Sequence, residues 1–322
     1  PDQTKPFTSS FQHQIQNGRD IYQTDYLAKE AIIVQPGGTG LYQDQIFAGA
    51  KVVKTVEAIG AKYKIVSFEY IIDWGYFWFL TIPMFYLLDF LNGIVGNFGI
   101  AILIATVLVK LAVFPLANKS YASMSKMKKL QPEMLKLKEL YPDDKMKQQQ
   151  GMMELYKKEK VSPISGCLPV VVQIPVFFSL YKVILTSIEL RHAPFFGWVH
   201  DLSAADPTNL FTLFGLIPWS PPLFLVLGIW PILMGVTMWV QMRLNPTPPD
   251  PVQASLFNWM PVIFTFMLGS FPAGLVIYWA WSNFLSILQQ SYIMKRHGVE
   301  IDLLGNIRDS LPFLKKKPAA TT

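Results

Sequence analysis

Apolar and polar positions alternate along this chain on the scale of whole segments rather than single residues. Gly99 to Leu116 is an apolar run long enough to cross a bilayer as a helix, with Lys110 inside it. A polar, lysine-rich stretch follows from Ala117 to Ser162. A second apolar run spans Gly166 to Ser187 and a third Pro221 to Gln241. Ser255 to Met294 is about twice the length one span needs and is split at Gly269-Ser-Phe-Pro-Ala-Gly274. The pattern predicts five spanning helices.

The segments between the spans carry further signals. Met124, Met127, Leu130, Met134 and Leu135 recur at helical spacing, as do Met152, Leu155 and Tyr156. Tyr141-Pro-Asp-Asp144 breaks the pattern with capping acids, so 117–162 reads as a hairpin of two helices. Trp74 to Val95 is aromatic-rich and holds Pro83 and Asp89. It reads as an amphipathic helix in the membrane interface, with a spanning helix as the competing reading. Residues 1–70 differ from the rest. Ala31–Val34 and Tyr63–Phe68 are strand-like and Pro36-Gly-Gly-Thr-Gly40 is a turn, while 43–60 fits strand or helix equally. The glycine cluster lacks the basic residue and the strand–loop–helix context of a phosphate loop.

Charge orients this plan. Of 322 residues 51% are hydrophobic and 16% charged, with net charge +6, which excludes an ordinary soluble domain. The lysines of the hairpin, Lys126, Lys128 and Lys129 among them, mark the cytoplasmic side, and the basic tail from Lys295 lies there too. The loop from Glu189 to Trp219 is then external. The chain opens on Pro1-Asp2, without an initiating Met or targeting segment, as a piece of a longer protein would. The single cysteine, Cys167, excludes an internal disulfide.

Candidate chemistry is sparse. His13, His192, His200 and His297 lie outside the spans and lack metal-ligand spacing, and no partner is placed to activate Ser270. Asp143 and Asp144 read as caps. The pattern calls for no enzyme, cofactor or metal. A polar lining remains. Lys110 lies about 16 Å along the helix axis from Gly99 and about 13 Å short of Lys119, deep for a charge that costs about 2.5–3.5 kcal/mol at mid-membrane. Thr106 shares its face, Gln173 is a buried-depth amide, and Trp279, Ser282, Asn283 and Ser286 recur at i, i+3, i+4, i+7. The residues alone allow a transporter or channel-like protein with a central cation, or a scaffold whose polar groups only join helices.

Specific motifs narrow the choice. Val34-Gln-Pro-Gly37, Asp73-Trp-Gly75, Val95-Gly-Asn97, Tyr121-Ala-Ser-Met124 through Leu130-Gln-Pro132, Gly166-Cys167, Gln173-Ile-Pro175, His200-Asp-Leu-Ser203, Phe271-Pro-Ala-Gly-Leu275 and Ser282-Asn283 make the chain from Ile32 onward resemble the YidC/Oxa/Alb family of membrane protein insertases. The resemblance implies a mainly α membrane protein of the bacterial inner membrane. Residues 1–70 would be the end of a periplasmic β-sandwich, 71–97 an interfacial amphipathic helix, 98–294 a five-span core with its cytoplasmic hairpin at 117–162, and 295–322 a cytoplasmic tail. The family's first span and most of the sandwich are missing from this chain. The implied function is to receive nascent membrane proteins in a cytoplasm-open hydrophilic groove and release them into lipid. That groove would comprise Thr106, Lys110, Gln173, Phe177, Tyr278, Trp279, Ser282, Asn283 and Ser286. The hairpin residues Lys126, Lys128, Lys129, Asp143 and Asp144 fall in a region implicated in ribosome and substrate contact. The Sec translocon is a further implied partner, and sequence-specific nucleic-acid binding is not. Lys110 stands where the family has arginine, which keeps the charge but not the planar fork.

Overall fold

A computed structural model describes residues 6–41, 46–142, 144–162, 168–219, 221–222, 225–245 and 251–299. The chain divides into two units, Pro1–Ile72 and Asp73–Thr322.

The first unit holds an antiparallel ribbon, β1 (Phe7–Gln16) and β2 (Arg19–Ala28), and a helix, α1 (Val53–Tyr63). Asn17 and Gly18 close the ribbon with φ of 53° and 74°, the paired left-handed backbone that Asn-Gly supplies in tight hairpins. The strands expected at Ala31–Val34 and Tyr63–Phe68 are absent. The chain turns at Gln35–Gly38, where Gly38 N donates to Gln35 O at 2.9 Å. Tyr63 ends α1, and left-handed Lys64 and Ser67 reverse the backbone where a strand would extend it.

The second unit is a helical bundle. Helix α2 (Trp78–Val95) buries a stripe of Thr81, Phe85, Leu88 and Leu91, the face of an amphipathic helix, and packs on α3 (Phe98–Ala112) and α7 (Leu168–Thr186). Gly96, at φ 68°, ends α2, and the Asn97 side chain caps α3 by accepting from Ile100 N at 3.1 Å. The first expected span does not continue to Leu116. Pro115 has no N–H to extend the helical ladder, so α3 stops at Ala112 and α4 (Phe114–Lys129) leaves at 67°. Lys110 therefore sits in the last turn of α3, where the helix dipole favours a cation, not at the centre of one straight helix.

The lysine-rich stretch forms α4, α5 (Gln131–Leu140) and α6 (Lys145–Lys158), three helices rather than two, because Pro132 interrupts the first. The break at Tyr141–Asp144 is present, and Asp144 caps α6 by accepting from Lys147 N at 3.0 Å. Asp143, the Gly166-Cys167 motif and the tail beyond residue 299 lie outside the described residues. Three more helices complete the bundle: α8 (Ile229–Leu244), α9 (Pro251–Met267) and α10 (Ala273–Arg296). Helix α8 starts eight residues later than Pro221. Gly235 lets it approach α9 closely, since a Cβ there would collide with Thr265. Among the described residues, α2, α7 and Val252–Ser270 are long and apolar enough to cross a membrane, and the bent α3–α4 pair is a fourth candidate.

The connection from α7 to α8 closes the bundle end opposite the lysine-rich helices. Ala273 N and Gly274 N, at the start of α10, donate to Ala204 O and Leu202 O at 2.6 and 2.9 Å. Asp201 fixes this turn by accepting from His192 N (3.1 Å), Ser203 N (2.8 Å) and Ser203 Oγ (2.6 Å), with His192 Nδ1 2.9 Å from its other oxygen. Burial pushes the carboxyl's pKa up, but the Ser203 and His192 donors outweigh it and hold the group below its ordinary value. The folded turn therefore prefers the ionised form. Its contribution is complete above the ordinary carboxylate pKa of about 4 and is lost as pH falls through the lower folded value. Amide protection factors at His192 and Ser203 should fall over that window. Asp201→Asn should start lower and lose the pH dependence; protection independent of pH in the parent would refute this.

Candidate functional site

Helices α3 and α7 are bridged by three shared neighbours, α2, α4 and α10, and the seam between them holds two cavities. The larger has about 440 Å³ of empty space, part of it open to solvent, and is lined by Lys110, Tyr121, Gln173 and Gln289 with Val109, Val113, Leu116, Ala117, Pro169, Val172 and Val176. The smaller, about 190 Å³ and likewise partly open to solvent, is lined by Met84, Ile102, Ala105, Thr106, Val109, Val176, Leu180 and Tyr278. Val109 and Val176 form part of both walls.

A polar chain crosses the seam. The Lys110 ammonium donates to Ser286 Oγ on α10 at 2.7 Å and to Gln173 Oε1 on α7 at 3.3 Å. Gln173 Nε2 in turn donates to the Tyr278 hydroxyl. The Ser286 hydroxyl donates to Ser282 O at 2.8 Å and also hydrogen-bonds Tyr121 from α4. Two of the three ammonium donors thus have neutral acceptors, and among the described residues no carboxylate pairs with Lys110. A cation held by neutral dipoles beside an open cavity keeps its field available to an incoming anion.

The other sequence candidates separate. Thr106 is buried, donates to Ile102 O at 2.6 Å and faces the smaller cavity. Trp279 belongs to an aromatic cluster, 4.7 Å from Phe177 and 5.8 Å from Phe264 between ring centroids. Asn283 reaches α8, donating to Thr237 Oγ1 at 3.5 Å. The i, i+3, i+4, i+7 set on α10 is therefore divided among its neighbours, with Ser286 toward Lys110 on α3, Trp279 between Phe177 on α7 and Phe264 on α9, and Asn283 toward α8. On the lysine-rich helices Lys126 is exposed, Lys128 half-buried, and Lys129 donates to His297 O at 2.9 Å, tying α4 to the end of α10. Burial raises the pKa of the Tyr156 hydroxyl, which sits 3.6 Å from Met134 Sδ between α5 and α6.

Sequence reasoning missed Tyr121 and Gln289 as wall residues. Gln289 falls three residues after Ser286 on the same helix, a spacing that could have included it. Tyr121 carries no such signal, because the bend at Val113 brings it back to the seam.

Comparison with known proteins gives consistent matches. Residues 90–300 match the family model described as 60Kd inner membrane protein, and residues 1–87 match the YidC periplasmic domain. The membrane protein insertase YidC of Brucella suis is 58% identical over 318 residues, 99% of this chain and 51% of the relative. That of Sinorhizobium medicae is 59% identical over 319 residues, 99% and 53% respectively. A crystal structure of an active YidC insertase with its first transmembrane domain resolved is similar at a TM-score of 0.53 and 26% identity, covering 72% of this chain and 49% of that one. The chain spans about half the length of the curated relatives it matches.

Proposed function

This chain belongs to the YidC family of membrane protein insertases, multi-pass proteins of the bacterial inner membrane, and from that premise we propose that it receives segments of nascent membrane proteins in the Lys110 cavity and passes them sideways into the bilayer. The observation that carries this reading is the Lys110 ammonium, held by Ser286 and Gln173 and without a carboxylate among the described residues, beside a cavity open to solvent. With the lysine-rich helices in the cytoplasm, the cavity opens toward the side on which a substrate is made.

A polar or acidic flank is drawn to the ammonium, and the low-dielectric walls of Val109, Val113 and Val176 strengthen that attraction. The adjoining apolar segment then leaves along the α3–α7 seam, because transfer from water to lipid releases hydrophobic free energy. No covalent chemistry is needed. The groove lowers the barrier for a polar flank while the bilayer supplies the driving force. Lys126 and Lys128 offer the cytoplasmic face to ribosomes or substrates, and the Sec translocon is a further partner.

Thiol accessibility tests the water path. In a Cys167→Ser background, Lys110→Cys should react with a membrane-impermeant maleimide from the cytoplasmic face. Thr106→Cys should react roughly tenfold or more slowly, since Thr106 is only 4% exposed and faces the smaller cavity. A Lys110→Cys thiol that does not react from that face would remove the proposed site.

A further inference from the structure

The connection between Thr208 and α8 is a loop with a defined shape. Leu210 N donates to Leu227 O at 2.9 Å, so the two ends meet as in an Ω-loop. Leu210–Gly215 forms a 3₁₀ turn with left-handed Leu213 and Phe214, at φ of 47° and 59°. The loop displays apolar side chains: Leu213, Phe214, Ile217 and Trp219 are exposed, and Leu216 is exposed at 83%. Exposed apolar groups are ordinary on a lipid-facing helix. On a loop they are unusual, because a loop's backbone normally needs water.

Much of the donor side of this need is met within the loop. The N–H groups of Leu210, Phe211, Phe214, Leu216, Ile217 and Trp219 all donate to acceptors within 208–227, at 2.8 to 3.3 Å, and Pro218 has none to offer. From Pro207 to Met242 the sequence contains no Asp, Glu, Lys, Arg or His. The loop is also continuous with a helix that is too short. The 16 residues of α8 extend about 24 Å, against about 30 Å of hydrocarbon, and the loop springs from the deficient end at Gly228. Internally paired N–H groups, an uncharged sequence and a short adjoining helix all fit one occupant, the lipid itself.

We infer that residues 210–219 of this loop are embedded in the bilayer, extending on the external side the crossing that α8 leaves short, with Leu213, Phe214, Leu216 and Trp219 among the acyl chains and headgroup boundary. Asp206 and Thr208 anchor its base to the first turn of α8, through Trp230 N and Ile229 N at 2.9 Å each, so lipid contact at the tip fixes the depth of that helix. The inference requires only that the bundle lies in a membrane and does not depend on the groove reading.

Spin labels test it. The full chain carrying Cys167→Ser with Leu216→Cys, Ile217→Cys or His200→Cys is reconstituted in phosphatidylethanolamine–phosphatidylglycerol vesicles. Labels at 216 and 217 should relax strongly with oxygen and several-fold less than the label at 200 with a water-soluble nickel chelate. Nickel access equal to that at 200 would place the loop in water. Access by neither reagent would mean that protein covers it, and either result overturns the inference. The unsubstituted chain gives an independent arm. A phospholipid bearing a diazirine near its headgroup should leave adducts within 210–219 after irradiation, and adducts confined to the helices would refute lipid contact.

Discussion

Lys110→Ala should reduce insertion of substrates with an acidic translocated flank by about tenfold or more, while Lys110→Arg should insert them at near the parental rate. Two unit charges about 4 Å apart attract by about 4 kcal/mol at an effective dielectric of 20, and by about 1 kcal/mol in bulk water. A cavity open to solvent falls between these limits, and each 1.4 kcal/mol is worth about a factor of ten. Arginine restores the charge, and its longer fork can still reach Ser286 and Gln173. Ser286→Ala should cost much less, because it removes one acceptor and leaves the ammonium in place. The assay is protease protection of substrates added to proteoliposomes, with a neutral-flank partner for each acidic one. Equal insertion by Lys110→Ala and parent on the acidic substrates would refute the electrostatic role. An equal loss on both substrates would refute it too, by showing general damage to the bundle.

Local features of the sequence made the broad plan legible. The two tight breaks at Tyr141–Asp144 and Gly269–Gly274 were visible because proline and glycine act within one turn. Lys110, Gln173 and Ser286 stood out because a polar group inside an apolar run needs a partner. Their meeting, at 2.7 and 3.3 Å, was not legible, since it joins residues on three helices and depends on how α10 packs against α3 and α7. Pro115 was the readable signal passed over. Treated as part of one span, it left Lys110 at the centre of a helix that ends two residues later. The same bend carries Tyr121 into the wall. The Asn17-Gly18 hairpin was equally readable, but its strands are largely polar, so hydrophobic alternation did not mark them. Prolines 218, 221 and 222 delayed the start of α8 for the same reason that Pro115 ended α3, and Gly228 is the extended residue from which the helix begins.

Asp206→Ala should lower the apparent melting temperature of the reconstituted chain by on the order of 10 °C, a large effect for a position far from Lys110. The carboxylate is 3% exposed and has no basic partner among the described residues. Its Oδ1 accepts from Trp198 Nε1 at 3.1 Å, Thr208 N at 3.0 Å and Thr208 Oγ1 at 2.7 Å, and its Oδ2 accepts from Trp230 N at 2.9 Å. The first turn of α8 supplies the positive end of a helix dipole to the same charge. Alanine would leave those donors buried and unpaired. Leaving a buried donor unpaired costs about 1–3 kcal/mol, several are stranded at once, and each kcal/mol shifts melting by about 2–4 °C in a unit of this size. Asp206→Asn should fall between alanine and parent, since its oxygen can keep one side of the network while its amide confronts the donors on the other. Gly228 has no room for a compensating side chain, because a Cβ there would lie 2.7 Å from Asp206 Cβ, an atom that alanine keeps. The same connection caps α10 through Leu202 and Ala204, and α10 carries Tyr278 and Ser286. Asp206→Ala should therefore also increase thiol reactivity at Thr106→Cys as Tyr278 loosens. An unchanged melting temperature would show that this carboxylate does not hold the α8 end of the bundle.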